Sequence, residues 1–134
     1  MQNTKENEFQ QISRQGFMKH NGGLLFLKVS DLEYQFKATI EEYHLNPGGS
    51  THGGFIMSLM DSGMGTAAHR ALGPEARAVT IAFDVKFISS STCGDTLLGT
   101  ARVIKRTRSL VFMQGELKVG ARTVATAEGI WKVL

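Results

Sequence analysis

The stretch NPGGSTHGGFIMSLMDSGMGTAAHRALGP, residues 46–74, decides how the rest of the sequence is interpreted. Prolines stand near both of its ends, and residues 53–68 carry a single charged side chain, Asp61. The apolar and small residues recur at helical spacing and form one broad face: Ile56, Met57, Leu59, Met60, Gly63, Met64, Ala67, Ala68 and Ala71. A helix that is apolar around most of its circumference must be buried on most sides. We therefore predict a central helix over residues 53–72, about 30 Å long at 1.5 Å per residue.

The segments on either side of this helix are typical of β-strands. Residues 78–88 alternate, with one face formed by Val79, Ile81, Phe83, Val85 and Phe87 and the other by Thr80, Ala82, Asp84 and Lys86. Further strands are predicted at residues 24–30, 32–43, 96–106, 109–119 and 123–133. Short turns between successive strands favour antiparallel pairing. The pattern predicts an α+β fold, in which a curved antiparallel sheet is wrapped around one long central helix.

The N-terminal residues are predicted to form a helical extension of the same domain. Phe9, Ile12, Gly16 and Phe17 stand at roughly helical spacing, which indicates a short amphipathic helix within residues 5–20. The chain has 134 residues, 42% of them hydrophobic, which is enough for one core. We expect residues 1–134 to form a single domain, with residues 1–23 as the extension.

Composition excludes several classes of protein. The single cysteine, Cys93, cannot form an internal disulfide or a multi-cysteine zinc site, and the four histidines lack metal-ligand spacing. No segment approaches the roughly 18 apolar residues of a membrane span, and the polar start is unlike a secretory signal. A net charge of +3 does not require nucleic acid as a partner. We expect a cytoplasmic protein with no metal, no nucleic-acid partner and no membrane association.

Asp61 is the first candidate for chemistry. Its neighbours along the helix are small or apolar: Gly54, Met57, Gly65, Ala68 and Leu72. An unpaired carboxylate buried among such residues costs several kcal/mol. Asp61 is therefore either a structural carboxylate with a polar partner or a catalytic group in an apolar cleft.

The run NPGGSTHGG, residues 46–54, comes directly before the helix. One interpretation is a turn in which Ser50 or Thr51 caps the first free amides. That does not explain the glycines at positions 53 and 54, because glycine is costly at a helix start. Bare amides at a helix N-terminus can bind a polarised carbonyl or an oxyanion, and His52 could cap the helix or donate a hydrogen bond there.

Taken together, N-x5-HGG-x6-D (Asn46, His52, Gly53, Gly54, Asp61) resembles the hotdog-fold acyl-CoA thioesterases of the phenylacetic acid degradation type. The later segments AVTIAFDVKFISSS, the GD pair at Gly94 and Asp95, a basic turn and VATAEG fit the same resemblance, which covers about residues 24–134. It implies a hotdog fold and an enzyme that hydrolyses acyl-CoA to a free acid and coenzyme A. It implies no cofactor, since coenzyme A is part of the substrate, and a homo-oligomer, at least a dimer and by expectation a tetramer.

The resemblance also implies catalytic roles for five residues. The Gly53 N–H would polarise the thioester carbonyl, Asn46 would orient the attacking group or the water, and His52 would support that end of the site. Asp61 would be the nucleophile or the general base. Thr80 would position the water, although an ordinary strand threonine is an equally good interpretation.

Two further segments are candidates for binding coenzyme A. The stretch that lines the coenzyme arm in relatives corresponds to Phe87, Ile88, Ser89 and Ser90. The basic turn would hold the coenzyme A phosphates through Lys105, Arg106, Arg108 and Ser109, or it would be a solvated hairpin end. This chain departs from the family pattern at Ser90, where a proline is frequent, and at Thr107, where a glycine is usual.

Helix geometry adds one prediction. Gly53 and Asp61 are eight residues apart, which is about 12 Å along a helix. A thioester carbon must lie within about 3.5 Å of its attacker, with its oxygen about 3 Å from the amide. We therefore predict that the Gly53 and Asp61 of one site come from different chains. The acyl group is expected near Met57, Met64 and Leu72.

Two alternatives remain at this stage. A non-catalytic hotdog module could bind acyl-CoA as a sensor or partner, although loss of the carboxylate or the glycines would be its signature and both are present. A hotdog dehydratase would need a histidine and an acid placed across the site, whereas His52 stands at the start of the helix.

Overall fold

The computed structural model describes residues 8–134, in which a seven-stranded antiparallel sheet curves around one long helix. The strands are β1 (Gln10–Gln11), β2 (Leu25–Lys28), β3 (Glu33–Thr39), β4 (Ala78–Phe87), β5 (Thr96–Arg106), β6 (Leu110–Val119) and β7 (Arg122–Val133). The helices are α1 (Gly16–His20) and α2 (Gly53–Leu72). The sheet order is β1-β2-β3-β5-β6-β7-β4. This arrangement confirms the predicted α+β architecture.

Helix α2 has the bounds that the sequence predicts, Gly53–Leu72, and packs against β3 to β7. Its buried side chains are Phe55, Ile56, Leu59, Met60, Met64, Ala67 and Ala68. The helix ends at Gly73, whose φ of 110° is unfavourable for other residues, and Pro74 follows. Within residues 8–134, no helix has both the length and the apolarity needed to cross a lipid bilayer.

Glycines allow α2 to lie close to the sheet. The Phe36 ring, fully buried on β3, lies between Gly63 of α2 and Gly99 of β5. A Cβ atom added at either glycine would overlap this ring. The absence of both side chains therefore sets the depth at which the helix sits in the sheet.

A β-bulge at Ile81 changes which face of β4 meets the helix. Thr80 pairs with Trp131 and Ala82 with Ile130, so Ile81 is an extra residue in β4. Such an insertion reverses the alternation of side chains on its N-terminal side. Thr80 therefore points toward α2 together with Phe83. The predicted alternation is wrong before the bulge, because a two-residue period cannot reveal an inserted residue.

Strand β4 forms an edge of the sheet. It pairs with β7 on one side and with no strand of the described chain on the other. Three of its apolar side chains are largely exposed: Val79 is 42%, Ile81 52% and Phe87 53% accessible. A long edge strand of this kind has unpaired backbone groups and can pair with another chain.

The N-terminal prediction is partly wrong. Residues 1–7 lie outside the described residues, Gln10–Gln11 pair with β2, and the helix covers only Gly16–His20. Gly16 has a φ of 83°, which a right-handed helix cannot accommodate in its interior, so no helix runs through it. Strand β3 is also shorter than predicted: it ends at Thr39, and Glu42–His44 form a short 3₁₀ turn in place of the last strand residues.

We expect Gly63→Ala to lower the free energy of unfolding by about 1–3 kcal/mol, the usual cost of overpacking a core. Alanine favours a helix by up to about 1 kcal/mol over glycine, but its Cβ would displace the Phe36 ring. Urea denaturation followed by circular dichroism measures the change. Gly48→Ala is the matched control, since a Cβ there meets no atom within 4 Å. An unchanged or increased stability of Gly63→Ala would contradict this account of the packing.

Candidate functional site

A buried histidine holds the loop that leads into α2. The His44 Nδ1 accepts the Glu41 N–H at 2.9 Å, so its proton is on Nε2, which donates to the Asn21 carbonyl at 2.6 Å. Its ring stacks on Phe55 of α2, with centroids 3.8 Å apart. The His44 carbonyl in turn accepts the His52 N–H at 2.8 Å. These contacts fix the residue that precedes the helix.

The start of α2 has one bare amide. His52 caps the helix: its Nδ1 accepts the Gly54 N–H at 2.8 Å, and its carbonyl accepts the N–H groups of Phe55 and Ile56. Among residues 8–134, the Gly53 N–H has no acceptor. This is the position at which the family resemblance expects the donor to the thioester carbonyl.

The predicted cap at Ser50 or Thr51 is wrong. Thr51 is buried, its N–H donates to the Ser91 carbonyl at 2.8 Å, and its Oγ1 accepts from the Ser91 hydroxyl at 2.7 Å. The threonine therefore ties the loop to the segment after β4 and is not available to the helix. His52 replaces it because a ring nitrogen two residues before Gly54 reaches the same amide.

The Phe87–Ser90 stretch lies beside the start of the helix. A Cβ added at Gly53 would be 3.3 Å from the Phe87 ring, so the ring lies directly against this glycine. The N–H groups of Ile88 and Ser89 both donate to the Val124 carbonyl, at 2.8 and 3.1 Å. The candidate coenzyme-binding stretch and the bare amide therefore belong to one end of the molecule.

Asn46 lies at this same end. Its N–H donates to the Ser50 carbonyl at 2.7 Å and its carbonyl accepts the Gly49 N–H at 3.0 Å. The half-buried side-chain amide makes no hydrogen bond within the part of the chain that the structure describes. The backbone is thus held while the amide remains available to a ligand.

Asp61 and Thr80 form the second centre. The Thr80 hydroxyl donates to the Asp61 Oδ1 at 2.8 Å. Asp61 is half-buried, and no basic side chain of residues 8–134 lies within ion-pair distance of it. A single hydroxyl leaves most of the acceptor sites of a carboxylate open. The carboxylate is oriented but keeps the capacity to act on a ligand.

A groove of about 670 Å³ opens beside this carboxylate, between α2 and β4. It is lined by Asp61, Gly65, His69, Val79, Thr80 and Trp131, among others. Trp131 is nearly fully buried, and Gly65 lets the helix approach its indole edge, since a Cβ there would be 3.1 Å from the Trp131 Nε1. The sequence pattern assigns Trp131 only to a strand, and nothing local in the sequence signals that it reaches this groove.

The predicted acyl-binding residues are partly wrong. Met64 is fully buried, and a Cβ at Gly115 would meet its side chain, so it belongs to the core. Met57 is 41% exposed and Leu72 is half-buried in the last turn of α2. Helical periodicity places all three on an apolar surface but does not distinguish core from cleft.

The basic turn between β5 and β6 lies near the C-terminal end of α2. Arg106 donates through Nη1 to the Ala71 carbonyl in the last turn of the helix. Arg102 pairs with Glu33 at 3.2 Å and Glu116 at 3.8 Å. Three members of the turn are exposed and make no ion pair among residues 8–134: Lys105, Arg106 and Arg108. The Ser109 carbonyl accepts the Val133 N–H.

The predicted site residues thus form two groups in one chain. Gly53, His52 and Asn46 gather with Phe87–Ser90 at one end of β4. Asp61 and Thr80 lie toward the other end, on the side of the 105–109 turn. Strand β6 runs from that turn to the partner of Arg122, a span of about 30 Å at about 3.3 Å per residue. No three His, Cys, Asp or Glu residues of the described chain are grouped so as to hold a metal ion.

Comparisons with known proteins agree with this architecture. The chain is 35% identical over 92 residues to PA0474 of Pseudomonas aeruginosa, named as a candidate esterase, covering 69% of each chain. It is 30% identical to mouse acyl-coenzyme A thioesterase 13 over 58% of this chain and 55% of that protein, so the match spans just over half of the relative. The Escherichia coli PaaI protein of the phenylacetic acid degradation operon shares the fold, with a TM-score of 0.78 at 24% identity, over 86% of this chain and 82% of that chain.

A family model adds the assignment. The model of the thioesterase superfamily matches residues 48–126, which include the loop before α2, the helix itself, and strands β4 to β6. This match covers more than half of the chain and confirms the predicted hotdog fold and the expectation of a thioester hydrolase. The chain belongs to the thioesterase superfamily.

Proposed function

We propose that the protein hydrolyses acyl-CoA thioesters to a free acid and coenzyme A, at a site shared by two protomers, with Asp61 as nucleophile or general base. The observation that carries this proposal is the separation of two reactive features on one helix. The Asp61 carboxylate, held by Thr80, faces an open groove, and the one bare amide of the helix start is at Gly53.

The distance between these features favours a shared site. Gly53 and Asp61 both belong to α2, and eight residues of helix put them about 12 Å apart along its axis. A helical side chain leans toward the N-terminus but recovers only a few ångströms. One thioester cannot then touch both groups of a single chain, because its carbonyl carbon and oxygen are bonded to each other.

The edge strand supplies a way to join two copies. Gly53 lies against Phe87 near one end of β4, and Asp61 bonds Thr80 near the other end. Antiparallel pairing of β4 with the β4 of a second copy, about a two-fold axis, places the Phe87 end of one strand beside the Thr80 end of the other. Each such interface then has two sites, and each site combines Asp61 of one protomer with Gly53 of the second.

The same axis unites the candidate coenzyme-binding segments. In one chain, Phe87–Ser90 and the 105–109 turn lie at opposite ends of the sheet. Antiparallel pairing of two copies brings the turn of one protomer to the side of the Phe87–Ser90 stretch of the other. The same two-fold axis therefore accounts for the separation of Gly53 from Asp61 and for the separation of the two candidate coenzyme-binding segments.

The proposed hydrolysis needs only groups of the two protomers and water. The Gly53 N–H, at a helix N-terminus, stabilises the negative oxygen that develops on the carbonyl. Asp61 either takes a proton from water that attacks the carbonyl carbon or attacks that carbon itself, with water then cleaving the resulting anhydride. In both routes water supplies the hydroxyl of the free acid, the carbon–sulfur bond breaks, and the coenzyme A thiol receives the remaining proton. The Thr80 hydroxyl keeps the carboxylate aimed into the groove.

A thiol-release assay tests the function directly. Short, medium, long and aryl acyl-CoA substrates are each offered to the protein, and free thiol is measured with time. Release above the uncatalysed rate for at least one class is expected. Binding of acyl-CoA with no release from any class would instead favour the non-catalytic sensor module.

Replacing Asp61 with asparagine should lower kcat by about 100-fold or more, the range typical for loss of a general base. The variant keeps the shape of the side chain, and the Thr80 hydroxyl can still donate to its carbonyl oxygen. Ligand affinity should therefore change little. Steady-state kinetics and titration with a substrate analogue separate the two effects.

Asp31→Asn is the control for this experiment, because Asp31 is exposed in the turn between β2 and β3. Its turnover should match that of the parent. Equal turnover of Asp61→Asn and the parent would remove Asp61 from the mechanism.

Thr80→Val should reduce kcat by about tenfold while KM changes little, since the lost hydrogen bond to a charged group orients the carboxylate. Valine has nearly the same shape and suits a strand. Thr126→Val on β7 is the matched control, as this threonine is half-buried on the outer face of the sheet. If both variants kept parental kcat, Thr80 would be an ordinary strand residue.

Mixing two inactive variants tests the shared site. Gly53→Pro removes the bare N–H, and proline suits the first position of a helix. The preceding His52, at φ −62° and ψ 130°, already has the conformation that proline requires of its neighbour. Gly53→Ala is the control, because it keeps the N–H but adds a similar contact with the Phe87 ring.

Gly53→Pro and Asp61→Asn should each be nearly inactive alone. After unfolding and refolding together, the mixture should recover about a quarter of the parental activity, because half of the dimers are mixed and each has one complete site of two. No recovery, with mixed dimers demonstrated by mass spectrometry, would place each site within a single chain.

The proposal requires at least a homodimer, and we extend it to a homotetramer built from two such dimers. Light scattering coupled to size-exclusion chromatography measures the assembly. A strictly monomeric protein with full activity would be incompatible with the shared site.

A further inference from the structure

Arg122 anchors the loop that follows β4. Its Nη1 donates to the Ser89 Oγ at 2.8 Å and to the Ser90 carbonyl at 2.5 Å. The Ser89 hydroxyl in turn donates to the Thr123 carbonyl at 2.6 Å. The arginine, at the first position of β7, thus holds two residues of the candidate coenzyme-binding stretch.

The charge of Arg122 is not neutralised by any side chain of residues 8–134. No carboxylate of residues 8–134 lies within ion-pair distance of it, whereas Arg102 on β5 has two acidic partners. A guanidinium carries five N–H donors, and the two hydrogen bonds to the loop both use Nη1. The exposed side chain therefore presents a positive charge and free donors next to a loop that it also fixes.

Arg122 is connected to the bare Gly53 amide through the loop that follows β4. Phe87 lies against Gly53, and the two serines bonded by Arg122 follow Phe87 by two and three residues. When the thioester carbonyl is bound at Gly53, the coenzyme A part of the substrate extends from this end of the protomer. Arg122, which has no ion pair among residues 8–134, lies at this same end of the protomer and can face phosphates on that moiety.

We propose that Arg122 binds a phosphate group of coenzyme A while positioning the Ser89–Ser90 loop. This inference rests on the proposed function and adds a specificity residue to it, contributed by the protomer that supplies Gly53. A guanidinium suits this task because its planar fork matches phosphate oxygens. The sequence pattern places Arg122 only in the short turn between the predicted strands 109–119 and 123–133, so its partnership with Ser89 is visible in the tertiary structure alone.

Two measurements on Arg122→Ala test the proposal. Calorimetric titration with free coenzyme A should show a dissociation constant raised about tenfold or more, as expected for the loss of charged hydrogen bonds. With an acyl-N-acetylcysteamine thioester, which has no phosphate, kcat/KM should stay within about twofold of the parent. Arg122→Lys should recover part of the coenzyme A affinity, since it keeps the charge.

Arg14→Ala is the control, because Arg14 is exposed and makes no ion pair with another described residue. Unchanged coenzyme A affinity in Arg122→Ala would overturn the proposal. Equal losses on the acyl-CoA and on the phosphate-free thioester would also overturn it, since Arg122 would then only hold the loop.

The two proposals fail in different ways. If the parent binds coenzyme A through Arg122 but releases thiol from no acyl-CoA, the hydrolase function is wrong and the binding inference stands. If the parent hydrolyses acyl-CoA and Arg122→Ala retains its coenzyme A affinity, only the Arg122 assignment is wrong.

Discussion

The close packing of α2 into the curved sheet determines where every candidate catalytic group lies. The Phe36 ring fits between Gly63 on the helix and Gly99 on β5, and any side chain at either glycine would push the helix outward. Because protein interiors are packed like crystals, a displacement at this contact would be felt along the whole helix. The Asp61–Thr80 hydrogen bond, only 2.8 Å long, depends on that depth.

The length of the helix then separates the candidate catalytic residues into two groups. His52 occupies the Gly54 amide and leaves Gly53 free, while Asp61 lies two turns further along and faces the groove beside β4. A helix cannot fold back to bring these groups together. An edge strand without a partner among residues 8–134 can pair with a second copy, which would bring its own groups to the site. In the proposed shared site, the helix leaves each chain with only part of the site, and the edge strand is the surface at which a second copy would complete it.

Much of the fold and of the candidate site could be predicted from the sequence, because the sequence signals for them are local. The apolar periodicity between Pro47 and Pro74 predicts α2 to the residue, and alternating strands predict the antiparallel sheet. The spacing of Asn46, His52, Gly53 and Asp61 identifies the family. Local patterns fail where one residue changes the backbone: the bulge at Ile81 turns Thr80 toward the helix, and the positive φ of Gly16 keeps the predicted N-terminal helix from extending before α1, which begins at that residue.

The sequence by itself determined the elements, their order, the family and the residue types of the site. Only the tertiary structure decided that His52 rather than Thr51 caps the helix, that Met64 belongs to the core and that Arg122 reaches Ser89. The physical reason is that each of these contacts joins backbone or side-chain atoms whose approach depends on the three-dimensional path of the chain. Periodicity reports which face of an element is apolar, whereas the identity of the neighbour on that face is set by the packing of the whole sheet around its helix.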